Sequence, residues 1–176
     1  MEKKFFIKRR TALLSFLSFS FFPNFAFSDE KNNINHMMRS HFIGSKNAPI
    51  KIKEYFSLTC GHCATFHQLT LPKLKEKYID VGKVQLEFID YPLDRLAILA
   101  AALARTLPND SYIEAISILL NKQKQWAYSN KPIDELISIS RLFGISSKDF
   151  EEIMENVPLM QEIINKMEKE SKQFNI

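Results

Sequence analysis

The chain has 176 residues, 45% of them hydrophobic and 25% charged, and carries a formal net charge of +4. That charge sits at one end: residues 1–28 hold five basic residues and one acidic residue out of 24 and 20, which leaves 19 of each sign for the rest. A neutral remainder gives no electrostatic case for binding nucleic acid or an anionic membrane, and its length suits one domain with its own core.

Lys3, Lys4, Lys8, Arg9 and Arg10 precede an apolar run from Thr11 to Phe22, and Ala26-Phe27-Ser28 then places small residues at −3 and −1 of a cleavage site. This pattern predicts a secretory signal peptide over residues 1–28 and an exported, periplasmic protein. The apolar run falls short of the roughly 20 residues that a spanning helix needs. Arg9-Arg10 leaves the twin-arginine route open beside the general secretory one. Residues 29–40 are polar, with Asn32, Asn33 and Asn35 clustered, and read as a flexible leader in which His36, with His41 just after it, is a solvated surface residue.

His41 to Ile43 reads as a short edge strand before the turn Gly44-Ser45-Lys46-Asn47. Pro49 to Phe56 alternates β-branched and aromatic residues with polar ones and predicts a strand. After Ser57, Leu58 and Thr59, the apolar residues Phe66, Leu69, Leu71 and Leu74 recur at roughly helical spacing, so a helix starts near Cys60. Lys83 to Tyr91 alternates again and predicts a second strand, parallel to the first through a right-handed crossover, which Pro92 ends. From Asp94 onward the pattern is helical. One stripe is Leu96, Leu99, Ala100, Leu103 and Leu107; another, Tyr112 to Leu120, is entered through a Ser111-x-x-Glu114 capping box. Pro132 opens a third helix, Ser146-x-x-Asp149 a fourth and Pro158 the last, while Trp126 reads as a buried anchor.

Chemistry concentrates at Cys60-Gly61-His62-Cys63, which holds both cysteines of the chain. A cysteine at a helix N-terminus is favoured as thiolate by the unpaired N–H groups and the helix dipole, and a protonated His62 would add to this. Cys60 is therefore the candidate nucleophile. Cys63, one turn inward, is placed to resolve a mixed disulfide formed there. Structural zinc wants four ligands, whereas this segment offers Cys60, Cys63 and the nearby His62 and His67. A haem attachment site needs His directly after the second cysteine, where Ala64 stands. A purely structural disulfide across so short a loop gains little and is easily reduced.

The run Phe56-Ser-Leu-Thr-Cys60-Gly-His-Cys63-Ala-Thr-Phe-His67, with Pro72-x-x-x-x-Lys77-Tyr78 and Phe88-x-x-Tyr91-Pro92-Leu93-Asp94, resembles the DsbA-type thiol:disulfide oxidoreductases of the bacterial envelope. The resemblance spans roughly Phe42 to Ile176. It implies an α/β thioredoxin-like fold with a large helical insertion, here residues 41–93 for the βαβ part and 94–176 for the insertion. It further implies that Cys60 attacks, that Cys63 is buried and resolves, and that Gly61-His62 tunes the potential. The substrates implied are cysteine-containing exported proteins, with a membrane quinone-linked partner restoring the disulfide and no cofactor. A Gly-His dipeptide is shared with the eukaryotic disulfide isomerases, so oxidation and shuffling both stay open.

Glu54 shares its strand parity with Ile50, Ile52 and Phe56. The resemblance implies a buried acid at this position that serves proton transfer at the resolving cysteine, and desolvation would raise its pKa. The competing reading is a strand-end glutamate paired in solvent with Lys51 or Lys53. Against the family pattern, none of the seven prolines occupies the place of the family's cis-proline. The expectation is a domain that lacks its C-terminal ββα part, with an open sheet edge that invites oligomerisation. An exported metal-binding module using Cys60, Cys63 and His67, and an inactive truncated relic, are the alternatives.

Overall fold

The structure, a computed structural model, describes residues 33–175. The predicted signal peptide and the start of the leader lie outside the described residues.

Three strands form one sheet: β1 (His41–Ile43), β2 (Ile50–Phe56) and β3 (Val84–Asp90), in the order β1-β3-β2. The two long strands are parallel as expected, with Ile52 opposite Leu86 and Phe56 opposite Asp90, and β1 runs antiparallel to β3. Gly44 turns the chain between β1 and β2 at φ +94°, where an added Cβ would lie 2.5 Å from the Val84 carbonyl oxygen. Only glycine fits both the backbone angle and the approach. No strand among the described residues pairs with the outer edge of β2.

The crossover is helix α1, which runs through four contiguous segments, Gly61–Thr65, Phe66–Thr70, Leu71–Leu74 and Lys75–Ile79. The second and fourth are wide π-type turns. Pro72 accounts for the first of these: it has no N–H for the helical ladder and its ring crowds the carbonyl four residues back, so the turn ahead of it opens. The wide turn therefore ends with Leu71 N–H bonding the Phe66 carbonyl, five residues back.

After β3 the described residues form the α-helices α2 (Arg95–Thr106), α3 (Asn109–Asn121), α4 (Gln123–Trp126), α5 (Pro132–Ser140), α6 (Ser147–Glu155) and α7 (Val157–Phe174), with a 3-10 turn, Arg141–Phe143, after α5. Pro132 begins α5 as expected, the Ser146/Asp149 capping box starts α6, and Asn156 caps α7 by accepting from Leu159 N–H. The start of α3 departs from expectation. Pro108 is its N-cap and Ser111 N–H already bonds the Pro108 carbonyl at 3.0 Å, so the helix begins two residues before the predicted Ser111 box. Trp126 is fully buried, with its Nε1–H on the Leu119 carbonyl, and packs in one core with Leu103, Ile116, Leu136, Phe150 and Ile163.

Two expectations for the N-terminal stretch are corrected. Residues 33–37 are helical, and Met37 and Met38 pack on the core, so this part of the expected leader is structured. His41 is buried, its ring stacked on Tyr112 at 3.6 Å. Burial first, then the positive charges of Arg105, Arg39 and Lys166, press its pKa down to about 3. The cause is the pairing of β1 with β3, which carries His41 over α3. Arg105 closes this region: it pairs with Asp90 at 2.6–2.7 Å and donates to the carbonyls of Met37 and Arg39.

Helix α1 covers one face of the sheet, and the C-terminal half of α7 reaches the other. There Glu170 takes Lys53 at 2.8 Å and the Tyr55 hydroxyl at 2.9 Å, and Ser171 bonds Tyr91.

Candidate redox site

The site grows from the loop between β2 and α1. Ser57 and Thr59 hydroxyls bond each other, and Thr59 Oγ1 donates to Asp94 Oδ2 at 2.6 Å. The other Asp94 oxygen accepts from Ala97 N–H at 2.8 Å and so caps α2. From the helical part, Gln123, itself buried, sends its Nε2 to the carbonyls of Leu58 at 2.8 Å and Cys60 at 2.9 Å. The loop is thus tied to the start of two helices, α2 and α4.

Cys60 is the N-cap of α1, in extended conformation, with Gly61 as first helical residue. Both cysteines are free thiols and partly exposed. Burial alone would raise the Cys60 pKa, but the Cys63 backbone N–H, the Cys63 thiol and the His62 backbone N–H outweigh it and hold the thiol below its ordinary value. This is the helix-terminus effect anticipated from sequence, delivered by main-chain donors. The His62 side chain itself is exposed, and what reaches Cys60 from this residue is its N–H. Cys63 goes the other way. Burial chiefly, with the nearby Cys60 and the charge of Glu54 adding, pushes it to about 11 against a weaker opposing bond from the Ser57 backbone.

Glu54 lies on the sheet face toward α1, as its parity predicted, and its Oε1 is 2.9 Å from His67 Nε2. Side-chain exposure is 4% for His67 and 11% for Glu54, so the pair is inside the protein. The solvent pairing with Lys51 or Lys53 does not form: Lys53 goes to Glu170, and Lys51 to Gln85 and the Lys46 carbonyl. Phe56, Phe66 and Phe88 rings surround the imidazole with centroids 5.8–6.1 Å away. Glu54 Oε2 is buried with no hydrogen-bond partner.

Among the described residues, no three His, Cys, Asp or Glu side chains converge in a way that could hold a metal ion. Cys60, Cys63 and His67, the ligands of the metal-binding alternative, form no such group, and His67 turns its Nε2 to Glu54. Beside Cys60, a cleft of about 590 Å³ runs between α1 (Gly61, Thr65, Gln68) and the α3–α4 region (Leu120, Lys124, Tyr128). Sequence reasoning gave His67 no role beyond that of a metal ligand and missed Gln123 altogether. The spacing of Cys63 and His67, four apart on one helix, was the available signal for the first. For Gln123 there was none.

A family model described as Thioredoxin matches residues 37–176. A Rickettsia typhi protein bearing the name of a protein-disulfide oxidoreductase is 36% identical over 123 residues, covering 69% of this chain and 46% of the relative. Its Rickettsia conorii counterpart is 37% identical over 115 residues, covering 65% and 42%. The chain thus spans under half the length of these curated relatives. Among solved structures, alpha-DsbA1 of Wolbachia pipientis superposes with a TM-score of 0.71 at 31% identity, over 79% of this chain and 71% of that one. Oxidised BdbD of Bacillus subtilis shares the fold, with a TM-score of 0.60 at 22% identity over 77% and 75%.

Proposed function

The chain belongs to the thioredoxin family, among its DsbA-type members, and from that premise we propose that it is a thiol:disulfide oxidoreductase working through Cys60 and Cys63. The observation that carries this reading is the split between the two thiols. Cys60 is held below its ordinary pKa at the mouth of a helix, while Cys63, one turn in, is pushed up to about 11.

That split assigns the roles. In the oxidised form a substrate thiolate attacks Cys60 Sγ, the bond to Cys63 breaks, and its electron pair leaves on Cys63 Sγ, which then takes a proton. A second substrate thiolate attacks the substrate sulfur of the mixed disulfide and releases Cys60 as thiolate. The substrate loses two electrons and the dithiol gains them. A stabilised Cys60 thiolate is a good leaving group and favours the reduced protein, which makes the disulfide oxidising toward its substrate. Glu54 is the acid that supplies and removes the Cys63 proton, a role supported by its burial and by its charge at that thiol.

The substrates are cysteine-containing exported proteins, and the site of action is the periplasm. The basic-then-apolar pattern of residues 1–28 supports both. Regeneration requires a two-electron acceptor, for which the family resemblance suggests a quinone-linked membrane partner. Replacing Cys60 by Ser tests the reading: oxidation of a dithiol peptide stops, and Cys63→Ser accumulates mixed disulfides through Cys60. Turnover that survives Cys60→Ser refutes it.

A further inference from the structure

Glu54 and His67 are thirteen residues apart, on different elements, and meet away from solvent at 2.9 Å. An isolated carboxylate in such a place is costly to keep charged, and its second oxygen has no hydrogen-bond partner at all. A buried pair gains most in stability when further hydrogen bonds satisfy the remaining lone pairs. This one leaves Oε2 free while Glu54 still acts electrostatically on Cys63. His67 lies one turn beyond Cys63 on α1, so the imidazole and the resolving thiol share a helix face. The rings of Phe56, Phe66 and Phe88 pack round the imidazole. The titratable groups linked to the pair are Cys63 and, through it, Cys60.

We propose that His67 shares the proton of the resolving step with Glu54: the two meet through Nε2 and Oε1, and together they carry the one proton that Cys63 gives up and takes back. This rests on the reading of Cys60 and Cys63 as the redox pair. In the resolving direction the Cys63 S–H proton passes to the Glu54–His67 pair, and the Cys63 sulfur attacks Cys60 Sγ of a mixed disulfide. The Cys60–S bond to the partner breaks, and the partner leaves as thiolate with the electron pair. The pair then returns its proton to solvent. An imidazole has one ring nitrogen that accepts a proton and one that donates, which phenylalanine or glutamine in the same space cannot match.

An aromatic disulfide that releases a coloured thiolate separates the two steps in the reduced chain. The first release reports attack by Cys60, and the second reports resolution by Cys63. In His67→Gln, whose amide still donates to Glu54 Oε1, the first release stays within about twofold and the second slows by about tenfold or more at pH 7, the scale of a lost acid–base group. The slowed step then rises with pH as hydroxide takes over the proton. Glu54→Gln gives the same loss, and the double variant loses no more than either single one, because one proton path has been cut once.

An unchanged second release and pH profile in His67→Gln overturns the proposal, as do losses that multiply in the double variant. A first release slowed to that of a free peptide thiol marks a misfolded variant, and Glu54→Gln is then judged by the same two criteria. If the parent itself shows no second release, the redox reading of Cys60 and Cys63 fails. If it releases twice and His67→Gln matches it, only the role of His67 falls.

Discussion

Gln123→Leu probes how far the helical part of the chain builds the dithiol loop. The native side chain is 2% exposed and donates to two carbonyls, those of Leu58 and Cys60. The losses differ at the two ends. Cys60 O keeps a second partner in Ala64 N–H at 3.1 Å, so there the substitution removes one bond, a net loss of about 0.5–1.5 kcal/mol. Leu58 O loses the partner that holds it in a buried setting, and an unsatisfied buried carbonyl costs about 1–3 kcal/mol. Leucine is more apolar and close in volume, which offsets part of this, so a net destabilisation of about 2–3 kcal/mol follows. Against a typical stability of about 5–15 kcal/mol the variant stays folded, and its chemistry is measurable.

Urea unfolding of the reduced chain at pH 7 gives the first readout, as a lower midpoint at unchanged slope. Alkylation of Cys60 against pH gives the second, because a loosened loop no longer holds the Cys63 and His62 N–H groups on the thiolate, and the midpoint moves up toward that of a free thiol. Gln123→Glu sharpens the test. It turns a carboxylate on two carbonyl oxygens, so it costs more at pH 7 and recovers as the pH falls and the carboxyl becomes a donor. A midpoint within about 0.5 kcal/mol of the parent for Gln123→Leu, with unchanged alkylation, refutes the reasoning, since that is the scatter of ordinary surface substitutions.

Three other measurements follow from the same geometry. Because the Cys60 pKa is lowered in the fold, its thiolate contributes stability that is present above the unfolded value and lost as pH falls through the folded one; Cys63, raised to about 11, works in reverse and loses stability as pH climbs from about 9 to 11. The urea midpoint of the reduced chain, referenced to Cys60→Ser, should therefore rise toward about pH 9, and referenced to Cys63→Ser it should fall above that. His41, pressed down to about 3, is neutral in the fold and binds a proton on unfolding below pH 6.5, so acidification costs stability by on the order of 1 kcal/mol per pH unit between 6.5 and 3. His41→Phe, which keeps a ring against Tyr112, should narrow the gap between urea midpoints at pH 7 and pH 4; an unchanged gap would mean that His41 is not buried neutral. Asp90→Ala strands the buried Arg105 guanidinium and should cost about 3–5 kcal/mol by thermal or urea unfolding, while Asp90→Leu with Arg105→Met should recover much of it.

Features written in short stretches of chain were legible in the sequence. The alternation of Pro49 to Phe56 and of Lys83 to Tyr91 marked two strands whose observed bounds differ from those predicted by one residue at each revised end. Pro132, Ser146 with Asp149, and Pro158 marked helix starts, because capping and proline stereochemistry act within one turn. The dithiol at a helix N-terminus was legible for the same reason: its lowered Cys60 pKa comes from main-chain donors and a thiol two or three residues away. Where the sequence misled, a neighbour competed locally, as Pro108 does with Ser111 for the start of α3. What the tertiary structure decided were the partners of buried polar groups. Glu54 could be placed on the inner face by parity, but its choice of His67 over Lys51 or Lys53 depends on α1 packing across β2. The Gln123 clamp closes over a separation of 63 residues, and His41 is neutral only because β1 lies over α3. Burying a polar atom makes the nearest partner in space worth more than any neighbour in sequence, and only packing sets which partner that is.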